Sequence, residues 1–161
     1  MASPYLRDDQ RLGDVIAAIQ AMGTYKFYKL DFAAWADRIT GDAAQANHWR
    51  QVFEEHPEFF RLGSARQKAS LILRRKRQRL YNVDDETVWT KSKYDGLSGQ
   101  QKTRFSRNPL SANEIEALVD VAINLHTRAT ERARDRRVWL TSGLAFAGAL
   151  AGGVVTKLVA G

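Results

Sequence analysis

The chain has 161 residues and no cysteine, which excludes disulfides, zinc-thiolate centres and thiol chemistry. Lys and Arg number 25 against 18 Asp and Glu, a formal charge of +7 that favours anionic partners such as nucleic acid or acidic lipid head groups. The N-terminus lacks a basic start followed by an apolar run, so no secretory signal peptide is expected.

Helix start and stop signals divide the first part of the chain into three helices. The first ends near Gly23, the second runs from a cap at Asp31 to Gly41, and the third begins after Asp42. Between the first two, the stretch KFYKL is a candidate for a short strand. After the third helix, apolar residues alternate at Phe60 and Leu62 and again at Ala69, Leu71 and Leu73, on either side of a turn, which predicts a β-hairpin.

The order helix, short strand, helix, helix, hairpin resembles the winged helix-turn-helix family over residues 8–75. The stretch HWRQVFEEHPEFFRL, where a helix leads directly into the first strand of the hairpin, carries most of that resemblance. It implies a small α+β head over residues 1–80, and it allows either a DNA-binding or a protein-binding role. In DNA-binding members the third helix enters the major groove and the wing contacts phosphate.

Basic residues are concentrated in the hairpin and directly after it. Eight Lys and Arg residues and no acidic residue lie between positions 61 and 79. A solvated strand end, a contact with phosphate or lipid head groups, and a protein contact remain open for this run. The candidate anion contacts are Arg66, Lys68, Arg74, Arg75, Lys76 and Arg77. The third helix ends instead in Glu54 and Glu55, which disfavours a polyanion on that helix.

A polar linker loop is predicted over residues 81–110, followed by an amphipathic connecting helix over residues 111–137. Within the loop, Lys and Arg residues at five positions between 91 and 107 form a second basic stretch. Ser111 and Glu114 have the spacing of a capping box at the start of the connecting helix. Its apolar stripe must pack on the head or on a second copy of the chain.

The C-terminal run contains 19 residues without a charge, from 138 to 156, after an arginine-rich flank. That length predicts a transmembrane anchor over residues 138–159, and the flank predicts a single-pass protein with a cytoplasmic N-terminal domain. A buried soluble helix is the alternative. Gly148 and Gly152 form a small-xxx-small pair through which the tail is expected to self-associate.

No catalytic or metal-binding pattern is found, since the three histidines lack metal-ligand spacing and no nucleophile motif occurs. Neither an enzyme nor a bound cofactor is expected. The predicted fold is mainly α: a winged-helix-like α+β head, a long helix and a single transmembrane helix. The first functional hypothesis is a membrane-anchored cytoplasmic adaptor that binds a protein. The alternatives are a membrane-tethered nucleic-acid-binding regulator and an effector whose small-residue tails assemble in the membrane.

Overall fold

The computed structural model describes the backbone of residues 3–159 and the side chains of residues 3–136. It is mixed α/β, with 57% helix and 10% strand, so the prediction of a mainly α fold is wrong. In chain order the helices and strands are α1 (Arg11–Thr24), β1 (Leu30–Asp31), α2 (Phe32–Thr40), α3 (Ala46–Glu55), β2 (Phe60–Leu62), β3 (Lys68–Leu71), α4 (Ile72–Arg75), β4 (Tyr81–Asn82), α5 (Lys91–Asp95), α6 (Gly99–Lys102), β5 (Phe105–Ser106) and α7 (Ala112–Val159).

Three helices pack against a three-stranded antiparallel sheet of order β1–β3–β2. The predicted hairpin is confirmed, because Phe60 pairs with Leu71 and Leu62 with Ala69. Aromatic side chains fill the space between helices and sheet, and the indole of Trp35 donates a hydrogen bond of 3.0 Å to the Ala69 carbonyl of the central strand. This element order is the one on which the winged-helix resemblance was based.

Local signals set several boundaries as predicted. The Asp31 carboxylate accepts a hydrogen bond of 2.8 Å from the backbone N–H of Ala34 and thereby caps α2. Gly41 ends α2 with a φ of 76°, a left-handed conformation that favours glycine. The capping box is also confirmed, since the Glu114 carboxylate accepts from the backbone N–H of Ser111 at 2.8 Å and the Ser111 hydroxyl accepts from the backbone N–H of Glu114 at 3.3 Å.

The segment predicted to be a polar linker loop, residues 81–110, contains four short elements. Strands β4 and β5 form a second, antiparallel sheet in which Tyr81 pairs with Ser106 and Asn82 with Phe105. Each strand has only two residues, too few to show the alternation from which strands are predicted. The extra strand pair is one physical reason why the sequence pattern understated the β content.

The chain divides into two compact units, Met1–Ile123 and Asn124–Gly161, and α7 begins in the first and makes up the described part of the second. In the described residues, no helix is both long enough and apolar enough to span a membrane. The predictions of a C-terminal transmembrane helix and of single-pass membrane localisation are corrected accordingly.

The predicted anchor, residues 138–159, lies outside the residues whose side chains the structure describes, and the finding above concerns the described part of the chain. Eight of the 19 residues between 138 and 156 are glycine or alanine, each of which adds little apolar surface. The part of α7 with described side chains is rich in charge. Gly148 and Gly152, with the helix packing predicted for them, lie outside the residues whose surroundings the structure describes.

Candidate functional site

Arg74, one of the predicted anion contacts, is buried inside the first unit. Its relative exposure is 0%, and its guanidinium donates to the carbonyls of Met22 at 2.8 Å, Tyr25 at 2.6 Å and Arg107. A weaker bond of 3.4 Å reaches the Lys26 carbonyl. The last carbonyls of a helix have no partner within the helix, so Arg74 satisfies the C-terminal end of α1. Burial lowers the Arg74 pKa to about 10. Arg74 is therefore enclosed by the protein, and its guanidinium bonds to backbone carbonyls rather than facing solvent.

Arg77 is also engaged by the protein itself. Its guanidinium forms an ion pair with Glu114 at the start of α7 and donates to the carbonyl of Pro109. The hydrogen bond from Arg77 lowers the Glu114 pKa to about 2. Together these contacts fasten the end of α4 to the first turn of α7. Arg77 therefore acts as a structural connection rather than as an open contact.

The remaining predicted contacts lie on the outside of the hairpin and of α4. Lys68, Arg75 and Lys76 are exposed, and no ion pair with an acidic side chain is found for them in the described part of the chain. Arg66, at the tip of the hairpin, has a φ of 51° and donates to the Glu54 carboxylate at 3.0 Å. Of the six predicted cations, three therefore face solvent without an ion pair among the described residues. A fourth, Arg66, forms an ion pair with Glu54 of α3.

The exposed face of α3 carries polar side chains and no large apolar one. Gln45, Asn47 and Gln51 are exposed, while Trp49 and the other apolar residues of the helix point into the core. The negative charge at the end of α3 is partly compensated, because Arg50 and Arg66 both form ion pairs with the Glu54 carboxylate. The hydrogen bond from Arg50 lowers the pKa of Glu54, so this carboxylate stays ionised and paired. Glu55 pairs in turn with arginines of the N-terminal segment.

The second basic stretch, between residues 91 and 107, lies beside aromatic rings, and several of its cations contact them. Lys93 Nζ lies 3.7 Å from the centre of the Trp89 ring, and Lys102 Nζ lies 5.3 Å from that of Tyr94. Two further pairs lie nearby, Arg104 with Phe27 at 5.9 Å and Arg107 with Tyr28 at 4.9 Å, measured from the guanidinium carbon. We call these eight residues the aromatic–cationic face. It contains four of the six such pairs found among the described residues.

Strand β5 holds this face together. Both Trp89 and Tyr94 meet the buried ring of Phe105 edge to face, at centroid distances of 5.0 and 5.1 Å. The Ser106 hydroxyl accepts a hydrogen bond of 3.0 Å from the backbone N–H of Tyr28, which attaches the segment before β1 to β5. The Trp89 indole also donates to Asp85 at 3.3 Å. No signal in the sequence places residues 27–28 beside residue 106, because the contact spans more than 70 positions.

Charge is divided sharply between two parts of the first unit. Residues 1–60, which contain α1 to α3, have nine acidic and six basic residues. Residues 61–107, which contain the hairpin and the second sheet, have 13 basic and four acidic residues. We call residues 61–107 the cationic half. The positive charge of the first unit is therefore concentrated in this half rather than on the face of α3.

Histidine and carboxylate pairs elsewhere in the unit have structural partners. His56 is fully buried, with Nδ1 2.9 Å from the Glu58 carboxylate, and its ring packs 4.5 Å from Tyr5. His48 Nε2 lies 3.0 Å from Asp14 across α1 and α3. In the portion of the chain that the structure describes, no group of three or more metal-binding side chains is found.

Comparison with known proteins finds no matching protein family, no matching curated protein and no matching solved structure. The winged-helix resemblance therefore stays a prediction based on element order.

Proposed function

We propose that this chain is a nucleic-acid-binding module that contacts phosphates through its cationic half. The observation that carries this proposal is the excess of 13 basic over four acidic residues in residues 61–107, with Lys68, Arg75 and Lys76 facing solvent. Phosphate contacts of this kind release condensed counterions and provide most of the non-specific affinity of such proteins.

A protein-binding adaptor, the first hypothesis from the sequence, is less well supported by the geometry of α3. Protein interfaces derive most of their energy from a few aromatic or apolar anchors buried at their centre. The exposed face of α3 offers Gln45, Asn47 and Gln51 but no such anchor. The two functions remain separable by experiment.

The test compares two variants of the full chain that lose the same net charge from different places. In the first, Lys68, Arg75 and Lys76 of the cationic half become Ala. In the second, three arginines of residues 1–60 become Ala: Arg7, Arg38 and Arg50. Fluorescence anisotropy with labelled DNA and RNA, single-stranded and duplex, is measured over a range of salt concentrations, and circular dichroism checks that both variants fold.

We expect wild-type affinity to fall steeply with salt. The slope of log K against log salt should decrease by roughly 2 in the first variant, since each lost contact to a single strand removes about 0.7. The second variant should keep the wild-type slope. Equal losses in both variants would indicate an effect of net charge alone, and absence of binding to every nucleic acid would reject the proposal in favour of a protein partner.

A further inference from the structure

We propose that the aromatic–cationic face binds single-stranded nucleic acid, with bases stacked on Trp89 and Tyr94. This inference rests on the proposed function and adds to it the form of the nucleic acid and the residues that would distinguish it. Surfaces that bind single strands combine cations for the backbone with aromatic rings on which successive bases stack.

The two rings are held in place before any ligand arrives. Trp89 and Tyr94 both contact the edge or face of Phe105, with interplanar angles of 74° and 71°, and Phe105 is only 4% exposed. The Trp89 backbone N–H also donates to the Leu80 carbonyl at 2.8 Å, and its indole donates to Asp85. A ring fixed in this way loses little conformational freedom when a base stacks on it, which favours binding.

Each ring is covered by a side chain that a base can displace. Lys93 is exposed and Lys102 is half-buried, and both reach their rings through flexible stems. An exposed cation–π contact changes an equilibrium by about two- to fivefold. Stacking of a base on an aromatic side chain changes affinity by about 5- to 150-fold. Stacking therefore outweighs the contact it replaces, and the displaced ammonium remains close enough to serve a neighbouring phosphate.

The cations available to the phosphates of such a strand are the lysines beside the two rings, and Lys91 is exposed on the same short helix as Lys93. Arg104 and Arg107 lie over Phe27 and Tyr28 but are engaged by the protein itself. Arg104 pairs with the Asp84 carboxylate, and Arg107 donates to the carbonyls of Arg75 and Arg77. A base-paired duplex hides the faces of its bases and would offer this surface only its phosphates. Single strands should therefore bind more tightly than duplexes of the same length.

The probes are oligothymidylate and oligouridylate of about 12 nucleotides, within the range of site sizes for such surfaces, and a blunt DNA duplex of equal length. The variants are Trp89→Leu and Tyr94→Leu in the full chain. Phe32→Leu is the matched control, because Phe32 also packs on a buried ring and pairs with an arginine, Arg50 at 5.8 Å, but lies outside the cationic half.

We expect Trp89→Leu and Tyr94→Leu each to weaken binding of at least one single strand by about 5- to 150-fold and to change duplex binding by less than about twofold. Phe32→Leu should change neither. If single strands and the duplex bind with salt-dependent affinity but Trp89→Leu behaves like Phe32→Leu, this inference fails and the proposed function stands. If no nucleic acid binds, both fail.

A second measurement keeps the inference testable should either leucine variant not fold. Trp35 and Trp49 are 0% and 2% exposed, whereas Trp89 is half-buried. The fourth tryptophan of the chain, Trp139, is replaced with phenylalanine for this measurement. Single strands should therefore quench the tryptophan emission of the Trp139→Phe chain, and adding Lys93→Met should preserve that quenching while lowering the salt slope by about 0.7. Binding of single strands without quenching would overturn the stacking of bases on Trp89.

Discussion

Replacing Arg74 with methionine should destabilise the first unit strongly, because its buried guanidinium donates to the carbonyls of Met22 and Tyr25 at the end of α1 and to that of Arg107. Three of the four bonds from Arg74 are no longer than 2.8 Å, and each carbonyl left without a partner costs about 1–3 kcal/mol. Part of this loss is offset, because burying the charged guanidinium costs desolvation energy and burying the uncharged methionine side chain does not. We expect a net loss of about 3 kcal/mol in the free energy of unfolding.

Urea unfolding followed by tryptophan fluorescence measures this loss, since buried Trp35 and Trp49 report on the same core. Arg75→Met is the matched control, because Arg75 is the next residue in the chain and is exposed. The control should change the free energy of unfolding by no more than about 0.5 kcal/mol. If Arg74→Met is as stable as Arg75→Met, water can replace the guanidinium and the structural role assigned to Arg74 is refuted.

Two further predictions concern the ends of helices. The pKa of Glu114 in the folded chain is about 2, below its ordinary value of 4.5, because of its hydrogen bond with Arg77. The ionised Glu114 therefore stabilises the folded chain above pH 4.5, and this contribution is lost as the pH falls towards 2. Acid titration of thermal stability should show this loss, about 1 kcal/mol after screening by solvent, and Glu114→Gln, which retains an acceptor for the capping box, should not show it. Gly41→Ala should lower the free energy of unfolding by about 1 kcal/mol, because Gly41 has a φ of 76° that alanine adopts at a cost. Gly13→Ala should raise it by about 1 kcal/mol, because Gly13 lies in open space inside α1, where alanine favours the helix. Urea unfolding measures both changes, and changes of the same sign would contradict this reasoning.

The three helices and the hairpin of the head were predictable because their signals are local. A capping aspartate, a glycine in a left-handed conformation and alternating apolar residues each act within a few positions of the chain. The second sheet gave no such signal. Its two strands, residues 81–82 and 105–106, pair across more than 20 positions of the chain. The packing of Trp89 and Tyr94 on Phe105 stabilises this pair.

The C-terminal prediction was based on the length and absence of charge of residues 138–156, in which eight glycines and alanines leave only moderate hydrophobicity. In the described residues no helix is long and apolar enough to span a membrane, and the predicted anchor lies outside the residues whose side chains the structure describes. The net positive charge of the candidate site could be predicted from the composition of the chain. Which basic side chains lie together on the surface depends on the fold, which composition does not show.

The four consecutive cations RRKR at positions 74–77 differ in their surroundings because of the backbone conformation. A solvated strand end, in which neighbouring side chains alternate, was one of the three interpretations left open for this run, but residues 72–75 form a helical turn. Residues three apart then share a face, so Arg74 and Arg77 both turn towards the protein while Arg75 and Lys76 turn outwards. Six phosphate contacts from this region would contribute roughly 4 to the salt slope of single-strand binding, whereas the three outward cations contribute roughly 2. The smaller number is the one expected from the triple variant, because releasing Arg74 or Arg77 to a phosphate would leave the carbonyls of α1 or the carboxylate of Glu114 unpaired.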